Sequence, residues 1–210
     1  MLSLYGRSYA ARYRTIADLI PPHASVLDLC CGPATLFHRY LRYKNVDYTG
    51  LDLSQAFIRR LQSRGGHGQV RNIQDLAPLP QADFVIMHAS LYHFLPDAKP
   101  VVDRMLTAAR RQVIIAEPIR NIVDCKNRLA AKIARRLTDP GDGQSAHRFT
   151  SESLDRFFFP YMQRVQNSFL IPGGREKVFV INATPDRDER DSPLVITNLP
   201  VTSGAGVPRS

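Results

Sequence analysis

The chain has 210 residues, 44% of them apolar, with 28 lysines and arginines against 19 acids and a net charge of +9. That length allows one large domain with a sizeable core, and no run approaches the roughly 20 apolar residues that span a bilayer. Three cysteines without a CxxC pair exclude a disulfide framework and a structural zinc site, so no metal centre is expected.

The opening MLSLYGRSYAARYR lacks an apolar signal-peptide core, which makes a cytoplasmic soluble protein the expectation. Residues 8 to 20 place Tyr9, Tyr13, Ile16, Ala17 and Ile20 at helical spacing, and Pro21 and Pro22 stop that helix. SVLDLC, 25 to 30, reads as a buried strand, and Pro33 fits the first turn of a helix running to about Arg42. DYTGLDLS, 47 to 54, is a second strand ending at Asp52, with Ser54 as N-cap of a helix to about Arg64. GGHG, 65 to 68, is a turn, and QVRNIQDL, 69 to 76, a short third strand. ADFVIMHAS, 82 to 90, is a fourth strand, residues 97 to 109 a helix, and QVIIAEPI, 112 to 119, a fifth strand.

A basic helix is expected over 121 to 137, then the loop DPGDGQSAH and a helix capped by Thr150 or Ser151. MQRVQNSFLI and REKVFVINAT around the turn PGG predict an antiparallel hairpin. Together these elements predict an α/β fold: a doubly wound, seven-stranded, mostly parallel sheet with helices on both faces and a C-terminal antiparallel hairpin. Residues 1–184 form the domain, and 185–210 read as a charged, then Pro-, Gly- and Ser-rich tail. The arginine pairs Arg59–Arg60, Arg110–Arg111 and Arg135–Arg136 sit on or beside expected helices and read as solvated faces.

In such sheets ligands lie beyond the carboxyl ends of the strands, here Asp28 to Ala34, Asp52, Asp75, His88 to His93 and Glu117. The first strand end, CCGPAT, is not a dinucleotide fingerprint, because Cys30 and Thr35 replace the outer glycines of G-x-G-x-x-G. A nicotinamide cofactor is therefore disfavoured.

Over about residues 9 to 120 the order and spacing of these elements resembles the class I S-adenosylmethionine-dependent methyltransferases. Their first motif is an apolar strand ending in D-x-G-x-G-x-G/A. VLDLCCGPA matches it with Asp28 at the acid and Cys30, Gly32 and Ala34 at the small positions, Cys30 being expected to need an ordinary φ. The resemblance implies S-adenosylmethionine as cofactor and S-adenosylhomocysteine as product. It implies that the Cys30–Gly32 backbone approaches the methionine carboxylate, that Pro33 starts the helix facing it, and that Asp28 holds the turn or orients the ammonium. Asp52, followed by Leu53, takes the ribose hydroxyls, and Asp75 with Leu76 flanks the adenine. His88 ends the fourth strand against cofactor or backbone.

After that strand, His93 is the candidate base, and Tyr92 beside it lines the acceptor pocket. Glu117 reads as pairing with a nearby arginine, with an acceptor-orienting acid as the other reading. Residues 121–150 resemble the acceptor-side cover of small-molecule members, and Tyr5, Tyr9 and Tyr13 close the cofactor from the other side. HASLYHF stands where base-amino methyltransferases carry [DN]PP[YF], and Asp124 before Cys125 does not fit a cytosine-C5 nucleophile. A small-molecule acceptor is thus expected. Transfer to RNA, suggested by the +9 charge, and a non-catalytic SAM-binding partner subunit are the alternatives; oligomeric state is open.

Overall fold

The structure is a computed structural model that describes residues 8–119 and 148–184. The expected basic helix, the Gly-rich loop with His147, Cys125, Tyr5 and the 185–210 tail lie outside the described residues. The elements are α1 (Ser8–Asp18), β1 (Ser25–Leu29), α2 (Thr35–Arg39), β2 (Asp47–Asp52), α3 (Gln55–Gln62), β3 (His67–Val70) and β4 (Ala82–His88). They continue as α4 (Lys99–Ala108), β5 (Ala109–Pro118), α5 (Ser151–Phe158), β6 (Val165–Leu170) and β7 (Glu176–Asn182).

The seven strands form one sheet in the order β3-β2-β1-β4-β5-β7-β6. β1 to β5 are parallel, and β7 runs antiparallel to both β5 and β6. The order reverses between β1 and β4, where a crevice opens at the carboxyl ends. The doubly wound sheet and its C-terminal hairpin are as the sequence predicts.

Alternation along the strands assigns the two faces. Leu27, Leu29, Val85, Met87, Val113 and Ile115 pack with Val102 and Met105 of α4 and Leu154 and Phe158 of α5. Val26, Tyr48, Phe84, Ile86 and Ile114 point the other way, onto Ile16 of α1 and Ile20 just beyond it, Leu36 and Phe37 of α2, and Leu61 of α3. Gly50 is needed for this closeness: a Cβ there would meet Cys31 Sγ and Leu61 Cδ2, each at 2.8 Å.

Several boundaries differ from expectation. The third strand is His67–Val70, so half of the expected GGHG turn is strand and Arg71 to Leu76 is not. β2 pairs its last four residues, Thr49 to Asp52, with His67 to Val70, and inter-strand pairing overrides the local glycine signal. β5 begins three residues early, putting Arg110 and Arg111 on the strand rather than between helix and strand. α2 starts at Thr35, two residues after Pro33, because Ala34 takes a left-handed conformation and delays the helix. Ser54 and Thr150 cap as expected; Ser54 Oγ accepts from Phe57 N at 3.4 Å, and Thr150 forms a reciprocal box with Ser153.

Candidate active site

The turn after β1 is built on alternation. Cys30 (φ 56°), Gly32 (φ 53°) and Ala34 (φ 50°) are all left-handed, and Cys31 and Pro33 between them are not. The expectation of an ordinary φ at Cys30 is therefore corrected. Such a conformation costs a non-glycine residue on the order of 1–2 kcal/mol and persists only where the surroundings over-determine it. They do here. Cys31 N donates to Leu51 O at 3.1 Å, Gly32 N to Asp52 Oδ2 at 2.8 Å, and Ala34 N to Cys31 O at 2.9 Å. Burial pushes the Cys30 thiol up to about 12, with the charges of Asp52, Asp28 and Glu117 adding to it, so it is a small neutral wall and not a nucleophile.

Asp52 joins this turn to the next. Its Oδ2 accepts from Gly32 N and its Oδ1 from Ser54 N, each at 2.8 Å. A carboxylate offers about four acceptor positions, so roughly two remain for a ligand. Beyond it Leu53 is 70% exposed and Leu76 95% exposed. Isolated exposed leucines are ordinary, but these two flank the strand ends where an apolar ring would rest. Asp75 is exposed beside Leu76, in a segment tied down by Arg71, whose Nη2 donates to Ala77 O and Pro78 O at 2.6 and 2.8 Å.

Asp28 faces inward. It is buried and accepts from the buried Tyr48 hydroxyl at 2.7 Å, and no bond from it to the turn is formed. Burial pushes its carboxyl up to about 7, against the lowering by Tyr48 and with a raising by Asp52.

At the end of β4 the backbone kinks again, with Ala89 left-handed (φ 53°) and its N–H donating to Ala116 O at 2.7 Å. The next two amides, Ser90 N and Leu91 N, donate to Glu117 Oε1 at 2.7 and 2.6 Å. Among the described residues Glu117 therefore pairs with backbone amides and not with an arginine. It is fully buried, holds the turn that carries Tyr92 and His93, and leaves Oε2 without a partner. Burial pushes the carboxyl up to about 8, only partly offset by the backbone amides, so its proton rests on Oε2 near neutrality. His93 is exposed on the 3-10 turn Leu91–Phe94, its ring centroid 4.0 Å from that of Tyr92, and the Arg148 guanidinium lies 4.6 Å over the Tyr92 ring.

The raised acids set a pH dependence with a definite sign. Asp28 and Glu117 hold protons in the folded chain that the unfolded chain releases above about pH 4 to 4.5. The stability they carry is complete below that range and is lost as pH rises through about 7 and 8, at about 1.4 kcal/mol per pH unit for each group. The Glu117→Gln protein is expected to lose one such increment of slope between pH 6.5 and 7.5, where histidine contributions common to both proteins cancel. Urea unfolding at both pH values measures it, and equal slopes in the two proteins would mean an ionised Glu117.

His88 is held by groups that sequence spacing did not bring together. Its Nε2 lies 3.2 Å from Glu176 Oε2 and 3.2 Å from Arg12 Nε. Only one of these is a hydrogen bond at a time, because Nε2 carries either a proton or a lone pair. Burial first, with the Arg12 charge, holds the imidazole below its usual range despite Glu176, so it is neutral at pH 7. A neutral ring satisfies the carboxylate by donating Nε2–H to Glu176, whose other oxygen pairs with Arg12 Nη2 at 2.5 Å. The Tyr13 ring packs edge-on at 5.0 Å. Helix α1 is thereby bolted to the carboxyl end of β4 and the start of β7, and Tyr9 and Tyr13 come to one side of the first turn.

Asp28, Cys30, Gly32, Ala34, Asp52, Leu53, Asp75, Leu76 and His88 thus all lie at or just beyond the carboxyl edge of β1 to β4. Tyr92 and His93 follow β4 on the next turn. Ala89, Arg12 and Glu176 were missed. Ala89 has no local signature, and the other two sit 76 and 88 residues from His88 in sequence.

The family model of a methyltransferase domain matches residues 27–115. Trans-aconitate 2-methyltransferase of Mycolicibacterium gilvum is 32% identical over 73 residues, which is 34% of this chain and 28% of that protein. The match thus spans under a third of the length of that curated relative. Among solved structures, magnesium protoporphyrin IX methyltransferase from Synechocystis PCC 6803, with bound S-adenosylhomocysteine, superposes with a TM-score of 0.59 at 14% identity, covering 84% of this chain and 81% of that one. The methyltransferase of Haloferax volcanii solved with the Trm112 methyltransferase activator gives a TM-score of 0.62 at 12% identity, covering 87% and 96%. At such identities these two show the fold alone. Fold and matched domain agree: residues 27–115, which the methyltransferase-domain model matches, carry most of β1 to most of β5 of a sheet with the fold of those solved structures.

Proposed function

We propose that the protein transfers a methyl group from S-adenosylmethionine to a small-molecule acceptor. The observation that carries the cofactor half is the left-handed alternation at Cys30, Gly32 and Ala34, closed by Asp52 through the Gly32 amide. It brings bare backbone to the crevice between β1 and β4, while Asp52 keeps acceptor positions for a diol and Leu53 and Leu76 offer apolar surface to a ring. When bound, the cofactor supplies a sulfonium-activated methyl group, so little covalent chemistry is asked of the protein.

The chain's own work is to hold the acceptor in line and to take its proton. His93, on the turn fixed by Glu117, is the base in this reading, since imidazole is suited to proton removal near neutrality. Tyr92, its ring tilted against that of His93, lines the acceptor side. The protonated Glu117 Oε2 is a buried donor on the same turn's inner side and orients a polar group of a ligand. The partial likeness to trans-aconitate 2-methyltransferase supports a small acceptor bearing a carboxylate or hydroxyl.

Calorimetric titration with S-adenosylhomocysteine, beside NADH, tests the cofactor assignment. Micromolar binding of the first alone is expected. Absence of S-adenosylhomocysteine binding, or equal binding of NADH, overturns it. A screen of carboxylic acids and phenols with labelled S-adenosylmethionine then tests the acceptor class, and methylation of RNA instead would overturn that half.

A further inference from the structure

Four arginines, of which the sequence reads only Arg60 as part of a solvated face, converge on one cavity. Arg39 of α2, Arg42 of the 3-10 turn Leu41–Lys44, Arg60 of α3 and Arg64 just beyond α3 line a cavity of about 390 Å³, together with His38 and Tyr9. They come from separate elements on the α1–α2–α3 face of the sheet. Among the described residues no carboxylate lines the cavity and none of the four arginines is in an ion pair with an acid.

The second observation is His38. Both of its ring nitrogens are shielded from solvent and neither has a hydrogen-bond partner. Buried polar nitrogens without partners are rare and mark a missing ligand or water. Partial burial first, then the charges of Arg64, Arg42 and Arg60, hold its pKa below the usual value. Like charges set around an unsatisfied imidazole are stabilised by an anion, which can accept the ring's one N–H, and guanidinium forks match phosphoryl oxygens bidentately. A flat basic stripe fits a nucleic-acid backbone; a cavity of this size fits a compact ligand.

We propose that this cavity binds the phosphoryl groups of a small phosphorylated ligand, of about diphosphate size. Its lining includes none of Asp28, Cys30, Gly32 or Asp52, so it is separate from the crevice at Asp52 and independent of the acceptor assignment, although Pro33 and Thr35, next to the turn after β1, also line it.

Inorganic pyrophosphate is the probe, titrated into the full chain at fixed ionic strength, with sulfate as control. Submillimolar pyrophosphate binding is expected, at least tenfold tighter than sulfate. Arg60→Ala/Arg64→Ala, both exposed side chains, is expected to weaken it at least tenfold while leaving S-adenosylhomocysteine affinity and Tm unchanged. Arg42→Ala is expected to act likewise. Pyrophosphate binding no tighter than sulfate, or unaltered in both variants, overturns the site. Arginine-dependent binding of a 20-nucleotide RNA without pyrophosphate binding also overturns it, by giving the arginines to a nucleic-acid backbone. Loss of S-adenosylhomocysteine binding in the wild type leaves this test intact, so the two readings fail separately.

Discussion

The Asp52→Ala protein is expected to bind S-adenosylhomocysteine at least a hundredfold more weakly than wild type. Two effects add. The carboxylate's free acceptor positions are lost to the ribose diol, and hydrogen bonds to a charged group contribute about 1.5–3 kcal/mol each. Since about 1.4 kcal/mol is tenfold in affinity, two such bonds span roughly 10² to 10⁴. The Gly32 and Ser54 amides also lose their acceptor, each now bonded at 2.8 Å, so the left-handed turn loses the contact that closes it. Asp52→Asn separates the two. It keeps one oxygen for the backbone and turns an NH₂ toward the second amide, so it is expected to fall between wild type and alanine. Unchanged affinity in Asp52→Ala would sink the ribose assignment.

The second large effect is on stability. Glu176→Ala is expected to lower unfolding free energy by about 3–5 kcal/mol, because it strands the buried Arg12 guanidinium beside a neutral His88. Against a typical total of about 5–15 kcal/mol this is a large fraction, on the order of 10 °C in Tm. The Glu176 carboxyl itself is pushed up by burial, but the hydrogen bond from His88 and the charge and hydrogen bond of Arg12 prevail and hold it below its usual range. The ion pair is thus intact at neutral pH.

Removing both partners is a different experiment. Arg12→Met/Glu176→Leu fills the space with apolar groups and is expected to cost far less than Glu176→Ala alone, since replacing a whole buried pair is often neutral. Equal losses in the single and double variants would mean the pair acts through packing and not through charge. Differential scanning calorimetry of the three proteins decides it. If α1 also walls the cofactor crevice, Glu176→Ala weakens S-adenosylhomocysteine binding in proportion to the loss of α1 order at 37 °C.

The strands were legible because their ends coincide with chemistry. An apolar run closing on Asp28 or Asp52 announces both the buried centre of a parallel sheet and its carboxyl edge, and Ser54 and Thr150 announce the helices that follow. Where the cue was weaker than the pairing, the reading slipped. Gly65 to Gly68 looked like a turn, yet Thr49 to Asp52 draw His67 to Val70 into the sheet.

Local pattern therefore determined the order of elements, the sheet type and the crevice where Asp28, Asp52 and His88 to His93 gather, because hydrophobic period and caps are properties of neighbours in the chain. Tertiary structure alone decided three things. It forced Cys30 and Ala34 into left-handed turns, since backbone angles there are set by bonds to Leu51 and Asp52 and not by residue preference. It joined Arg12, His88 and Glu176, which share no local spacing. It also turned four scattered arginines into one basic cavity, because charges on separate helices reveal their common target only when the sheet beneath aligns them.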